Sequence, residues 1–238
     1  MIDVIIPSMS KPSTEVVCAY YLSLDLTRLG KIVVVDLSPE IELGAVKLAA
    51  RFSQLAHLPI HGMQHFNKSF ALNVGASISR AELMLFCDAD VMIPQSTLAL
   101  LKEKTVQGSA FYVEYVYETE TGHQRGGPGI ICLHRADFIR VGGYDSALSG
   151  WGYEDRDFIE RLLKCGCDVK PIGSAFHISH TDNQRTANYA EKVRELSRKA
   201  NAARSAARIA AGMTGTFQED IATFETKLRG VRYERMLE

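Results

Sequence analysis

The chain has no stretch near the ~20 consecutive apolar residues that span a bilayer, so no transmembrane segment is expected. It also lacks an excess of either charge: 27 Lys and Arg stand against 28 Asp and Glu, for a net charge of −1. That balance supplies no long-range field to draw in nucleic acid or an acidic membrane, and nucleic acid is not an expected partner. Cysteine is sparse, with five in 238 residues. Cys18, Cys87 and Cys132 are scattered, and only Gly166 separates Cys165 from Cys167, which is not a paired metal-knuckle spacing. An odd, dispersed set reads as reduced structural thiols of a cytoplasmic protein. The opening residues MIDVIIPSMS have no basic region, long apolar core or small-residue cleavage site, and read as a first strand rather than a secretory signal. Tryptophan is rarest. Trp151 stands alone in SGWGYEDRDF (149–158), between two glycines and just ahead of Glu154, Asp155 and Asp157.

What is present is an α/β rhythm. DVIIP (3–7), KIVVVDLS (31–38) and ELMLFCDAD (82–90) are continuous apolar runs, as expected of parallel strands covered on both faces. HLPIHGM offers a further strand. Residues 15–29, 41–56 and 68–79 have helical spacing between them, which implies right-handed βαβ units. SAFYVEYVYETE (109–120) alternates and is expected to be antiparallel, GHQRGGPG to be a loop, and 154–165 to be a helix. From about residue 184 the chain is rich in Ala, Arg, Lys and Glu, so a long helix is expected, broken at GMTGT and then resumed.

Three clusters carry chemistry. Asp88 and Asp90 close a predicted central strand, and ligands bind beyond the carboxyl ends of such strands. Both acids can face one site only if the strand is ending and turning, since alternate residues otherwise face opposite ways. Carboxylates there suit a hard divalent cation carrying a diphosphate; capping aspartates at a turn are the bland alternative. In SGWGYEDRDF, Trp151 offers a flat face for a sugar ring, and the three acids fall in the first turn of a helix, whose dipole favours their ionised form. An ionised carboxylate can take the proton of an attacking hydroxyl. His177 and His180, three apart in FHISH, can share one metal, or can be structural.

Together these residues resemble the GT-A nucleotide-sugar glycosyltransferases. DVIIP followed by KSFALNVGASISRAELMLFCDAD is similar to the N-terminal half of the family 2 enzymes, where a lysine and an asparagine–glycine pair, here Lys68, Asn73 and Gly75, precede the DxD strand. GGYDSALSGWGYEDRDFIERL is similar to the motif of β-1,4-galactosyltransferases, polypeptide N-acetylgalactosaminyltransferases and bacterial chondroitin-type polymerases. The resemblance covers about residues 2–183. It implies a GT-A, Rossmann-like mixed sheet flanked by helices over 1–183, with 184–238 as a C-terminal helical extension.

Carried over residue by residue, the resemblance makes Asp90, His177 and His180 ligands of Mn²⁺ or Mg²⁺, and makes Asp88 a contact of the ribose or sugar. Asp155 becomes the general base and Glu154 the grip on a sugar hydroxyl. Trp151 and Gly152 join Pro7, Asp36, Lys68 and Asn73 in binding donor and acceptor. Retaining relatives carry asparagine where Asp155 stands, so the carboxylate implies inversion. The sequence departs from the pattern at VVDLSPE, where an Asp-Asp or Asp-Gly-Ser is usual, and at Tyr153, where glycine is usual.

The expected activity is metal-dependent, inverting transfer from a nucleotide diphosphate sugar, foremost a UDP-sugar, to a saccharide or lipid-linked saccharide acceptor in glycan assembly. A scaffold of the same fold that binds saccharide without turnover is the non-enzymatic alternative. A nucleotidyltransferase is disfavoured because SMSKPST lacks a glycine-rich phosphate loop. Arg194, Arg198, Arg204 and Arg208 form a basic stripe that leaves two further expectations open, a peripheral contact with the inner face of a membrane or packing on the domain or a twin subunit.

Overall fold

In the computed structural model, residues 1–24, 29–40, 43–180 and 186–228 are described. The expected domain boundary at 183/184 and the expected helical residues at 25–28, 41–42, 184–185 and 229–238 lie outside them.

Strand β1 (Ile2–Ser8) is buried at every position. Its alternation divides it between two cores. Ile5 enters one together with Val33 and Val35 of β2 (Leu29–Asp36), while Val4 and Ile6 enter the other with Ile32 and Val34. A strand apolar on both faces requires cover on both, and helices supply it. One core takes in α3 (Lys68–Ile78), α5 (Arg135–Arg140), α6 (Glu154–Lys164) and α8 (Phe217–Leu228) through Leu72, Phe138, Phe158 and Phe224. The other takes in α1 (Ser13–Ser23) and α4 (Gln95–Lys104) through Val17, Leu98 and Leu101, with Leu48 and Ala49 of α2 (Leu43–Arg51) packed against it.

The remaining strands are β3 (Leu55–Pro59), β4 (Leu83–Phe86), β5 (Val91–Met92), β6 (Ser109–Glu118), β7 (Gln124–His134) and β8 (Asp168–His177). They form one sheet in the order β3-β2-β1-β4-β7-β6-β8-β5. The first four are parallel, β7 runs against both β4 and β6, β8 runs parallel to β6, and β5 runs against β8. This is the expected mixed α/β sheet. Its decisive connection is the shortest one. The chain leaves β4 in mid-sheet at Phe86 and enters β5 at the edge at Val91, so Asp88 and Asp90 lie in the crossing.

Three local expectations are corrected. GHQRGGPG is largely strand, since Gln124 to Gly129 belong to β7. The register slips beside it, between Tyr112, Val113 and Tyr115 of β6. Gly127 fits this close approach because a Cβ there would lie 2.6 Å from Val116 Cγ2 and 2.9 Å from the Val113 carbonyl. The alternating segment 109–120 is antiparallel to β7 but parallel to β8. Helix α7 (Arg194–Ala210) begins later than composition suggests. Ahead of it the Asn188 carbonyl accepts from Phe66 N at 2.7 Å, and the buried Tyr189 ring meets Phe66 edge-on at 5.4 Å. Tertiary packing there overrides helix propensity.

Candidate active site

A cleft of about 400 Å³ opens at the carboxyl end of the parallel strands. At one end, β5 pairs with β8 so that Val91 lies opposite His177, and the Asp90 carbonyl accepts from Ile178 N at 2.8 Å. This brings Asp90 to the two histidines, with His180 Nε2 2.9 Å from Asp90 Oδ2 and His177 Nε2 3.5 Å from Oδ1. The three ligand atoms lie within 4.8 Å of one another. One carboxylate and two imidazoles fit a divalent cation, with the nitrogen donors favouring a transition ion over Mg²⁺. Lys11 Nζ also reaches Asp90, at 3.2 Å. Burial opposes ionisation of Asp90, yet hydrogen bonds from both histidines and the charge of Lys11 hold its carboxyl well below the usual range. Burial likewise disfavours a charged His177, but Asp90 and Glu118 together raise the imidazole pKa.

The second cluster gathers on Lys68 at the start of α3. Its ammonium lies 2.9 Å from Asp88, 3.1 Å from Asp155 and 3.7 Å from Glu154. Asn67 caps this helix by accepting from Phe70 N at 3.0 Å, which fixes where Lys68 emerges. Burial lowers the Lys68 pKa, but Asp155, Asp88 and Glu154 outweigh it and hold the value well above the ordinary one. Burial raises the Asp155 pKa, Lys68 opposes the rise and Asp88 adds to it. Glu154 is pushed up to about 7 by burial and by neighbouring Asp155. Its Oε2 is buried and has no hydrogen-bond partner among the described residues. A buried acceptor without a donor is costly, and a sugar hydroxyl would satisfy it.

Trp151 and Gly152 line the same cleft, as do Pro7 and Tyr153. Tyr153 holds φ +81°, a left-handed conformation that favours glycine, and this accounts for the glycine usual there. Helix α7 packs on the motif through small polar residues. Asn201 Nδ2 donates to the Gly152 carbonyl at 2.8 Å, and Ser205 donates to Asp157 at 2.7 Å. A Cβ on Gly150 would collide with the Ser197 hydroxyl, so glycine lets the helix approach. The basic stripe of α7 also turns toward this segment. Arg194 lies 4.4 Å over the Trp151 ring, Arg198 lines the cleft, Arg204 donates to the Ala147 carbonyl and Arg208 pairs with Asp145. Asp157 is more than a helix-start acid. It is buried, and it pairs with Arg161 at 2.6 Å, which in turn donates to the Val141 and Gly143 carbonyls.

Of the residues expected in the site, Pro7, Lys68, Asp88, Asp90, Trp151, Gly152, Glu154, Asp155, His177 and His180 line one cleft. Asp36 and Asn73 do not. Asp36 is 1% exposed, bonded to His57 and Ser38, because β2 ends beneath the surface there. Asn73 is fully buried and clamps the Tyr144 backbone and Asp220. Lys11, Arg125, Arg156, Tyr189 and Arg198 line the cleft without having been singled out for it. Their side chains are common surface types, and only strand pairing and the return of the chain at 186–198 place them.

Comparison with known proteins follows this geometry. A family model described as the N-terminal domain of galactosyltransferase matches residues 109–181. Chondroitin sulfate synthase 3 of Mus musculus is 27% identical over 55% of this chain and 18% of its own length. Chondroitin sulfate N-acetylgalactosaminyltransferase 1 of Homo sapiens is 28% identical over 56% of this chain and 30% of its own length. The chain thus spans well under half of these relatives. Among solved structures, GalNAc-T7 with UDP, GalNAc and Mn²⁺ superposes with a TM-score of 0.61 at 14% identity, covering 76% of this chain and 43% of that one. A Drosophila β-1,4-galactosyltransferase 7 mutant in complex with manganese, UDP-Gal and xylobiose gives 0.57 at 16% identity, covering 83% and 79%. The shared architecture is the GT-A fold.

Proposed function

We propose that this GT-A glycosyltransferase moves a sugar, of the galactose or N-acetylgalactosamine type, from a UDP-sugar to a saccharide hydroxyl, with inversion and with a divalent cation. The observation that carries the reading is the single cleft that holds both the Asp90–His177–His180 triad and the Asp155–Lys68 pair. The names of the chondroitin relatives support an N-acetylgalactosamine donor and a glycosaminoglycan-type acceptor, and the UDP and manganese of the solved neighbours support the donor nucleotide and the ion.

Asp90, His177 and His180 would hold Mn²⁺, or Mg²⁺, which when bound neutralises charge on the leaving nucleoside diphosphate. The protein's own residues do the rest. Asp155 takes the proton of the acceptor hydroxyl as its oxygen bonds to the anomeric carbon and the bond to the diphosphate breaks. Lys68 opposes the rise that burial imposes on the Asp155 pKa and so favours its ionised form. Glu154 Oε2 accepts from a sugar hydroxyl, and Trp151 supplies the apolar face for the ring.

Asp155→Asn is expected to lower kcat by about 10²–10⁴-fold while UDP binding survives; full activity in that variant would remove Asp155 from the base role. Asp90→Ala is expected to abolish the Mn²⁺ dependence of UDP binding in calorimetry. Wild-type UDP affinity that is the same with and without Mn²⁺ would exclude the metal site. Absence of UDP release with any sugar donor and metal would instead favour the non-catalytic scaffold.

A further inference from the structure

We propose that Glu118 is a positioning residue for His177, fixing the one tautomer and ring orientation that turns Nε2 toward Asp90. This rests on the metal-site reading above. β6 and β8 are parallel neighbours with Glu118 in register with His177, so the last residues of both strands stand side by side. Glu118 Oε2 lies 2.7 Å from His177 Nδ1. An ionised carboxylate has no proton to give, so Nδ1 carries the hydrogen and donates it.

The carboxylate is itself held from two further directions. Arg125 Nε donates to Oε1 at 3.2 Å, and the Ser179 hydroxyl donates to Oε2 at 3.2 Å. With Nδ1 committed to Glu118, Nε2 is the nitrogen turned toward Asp90 Oδ1, at 3.5 Å, and it is the one left to ligate a metal once it gives up its own proton. The His177 side chain is only 3% exposed, so water cannot substitute freely for Glu118. A carboxylate behind a ligating histidine sets its tautomer and raises its basicity, and losing such a partner commonly weakens metal binding by 10–100-fold. Arg125, which lines the cleft, couples this support to the ligand side of the site.

The test uses the full chain with selectively ¹⁵N-labelled histidine. In the metal-free protein at a pH where His177 is neutral, long-range ¹H–¹⁵N correlation is expected to show His177 protonated at Nδ1. Glu118→Ala is expected to populate the Nε2-protonated form and to weaken Mn²⁺ binding, read by electron paramagnetic resonance, by roughly 10–100-fold. Glu118→Gln keeps an acceptor for Nδ1–H and is expected to retain the tautomer with a smaller loss, which keeps the test decisive should Glu118→Ala fail to fold. An Nε2-protonated His177 in the wild type would overturn the proposal, as would Glu118→Ala or Glu118→Gln with the wild-type tautomer and Mn²⁺ affinity. If Asp90→Ala abolishes Mn²⁺ binding while both Glu118 variants keep it, the proposal fails and the metal site stands. If the wild type binds no Mn²⁺, with or without UDP, both fail together.

Discussion

Lys68 is set among three carboxylates, and its removal should be felt first by Asp155. Burial and Asp88 already raise the Asp155 pKa, and Lys68 opposes them. Lys68→Met should therefore move the acidic limb of the kcat/KM profile upward, by roughly 1–3 pH units for the loss of a close opposite charge. A limb that stays in place would show that Asp155 is not the group titrating in catalysis. Glu154 carries the opposite sign for stability. Burial and Asp155 push its folded pKa up to about 7, above the ordinary glutamate value of 4.5, so between those values the folded state holds the proton that the unfolded chain has released. Stability is thus lost as pH rises through this window, and the full penalty is present above pH 7. Glu154→Gln does not titrate. Its stability relative to wild type should grow between pH 5 and pH 8 by on the order of 1–3 kcal/mol in denaturant melts. A difference independent of pH would contradict the assignment. Asp90, Asp155, His177 and His180, which line one cleft, are legible as letters because carboxylate and imidazole side chains declare by type the chemistry they can do. Lys11 and Glu118 were not, because what they do depends on pairings across 79 and 59 residues.

At the scale of elements, α3, α7 and α8 determine whether the segment that carries Trp151 and Asp155 is held. Asn73 of α3 accepts from Tyr144 N at 2.8 Å and donates to the Tyr144 carbonyl at 2.9 Å and to Asp220 at 2.6 Å. Asp220 of α8 also accepts from Ser146 at 2.7 Å. The C-terminal helices are therefore bolted to the turn that leads into Trp151. Asn73→Ala leaves these buried groups unpaired and should cost roughly 1–3 kcal/mol or more in denaturant melts while sparing the donor KM. A selective loss of donor binding at unchanged stability would restore the ligand-binding role that the sequence resemblance suggested. Strands β1, β2 and β4 were readable because a run apolar on both faces has few other fates. The glycine-rich start of β7 was hidden because Gly and Pro ordinarily mark turns, and only the slipped register of β6 calls for them there. The irregular stretch at 187–193 was hidden because contacts of Asn188 and Tyr189 with distant residues outweigh local propensity.

At the scale of the whole molecule, the cleft joins the β4–β5 crossing, the start of α6 and the end of β8, with α7 laid over the Trp151 motif. The order of these segments along the chain was visible in the sequence, as was the mixed sheet they imply. Their convergence was implied only by the family resemblance and not by the residues alone, because it depends on β5 reaching the far edge of the sheet. The central claim is that Asp155 serves as the base of a direct displacement in this cleft. It is tested most directly by the NMR coupling constant of the new anomeric proton in the product formed from UDP-α-N-acetylgalactosamine, Mn²⁺ and a chondroitin-type oligosaccharide. The account predicts a β-linked product; an α-linked product would contradict it.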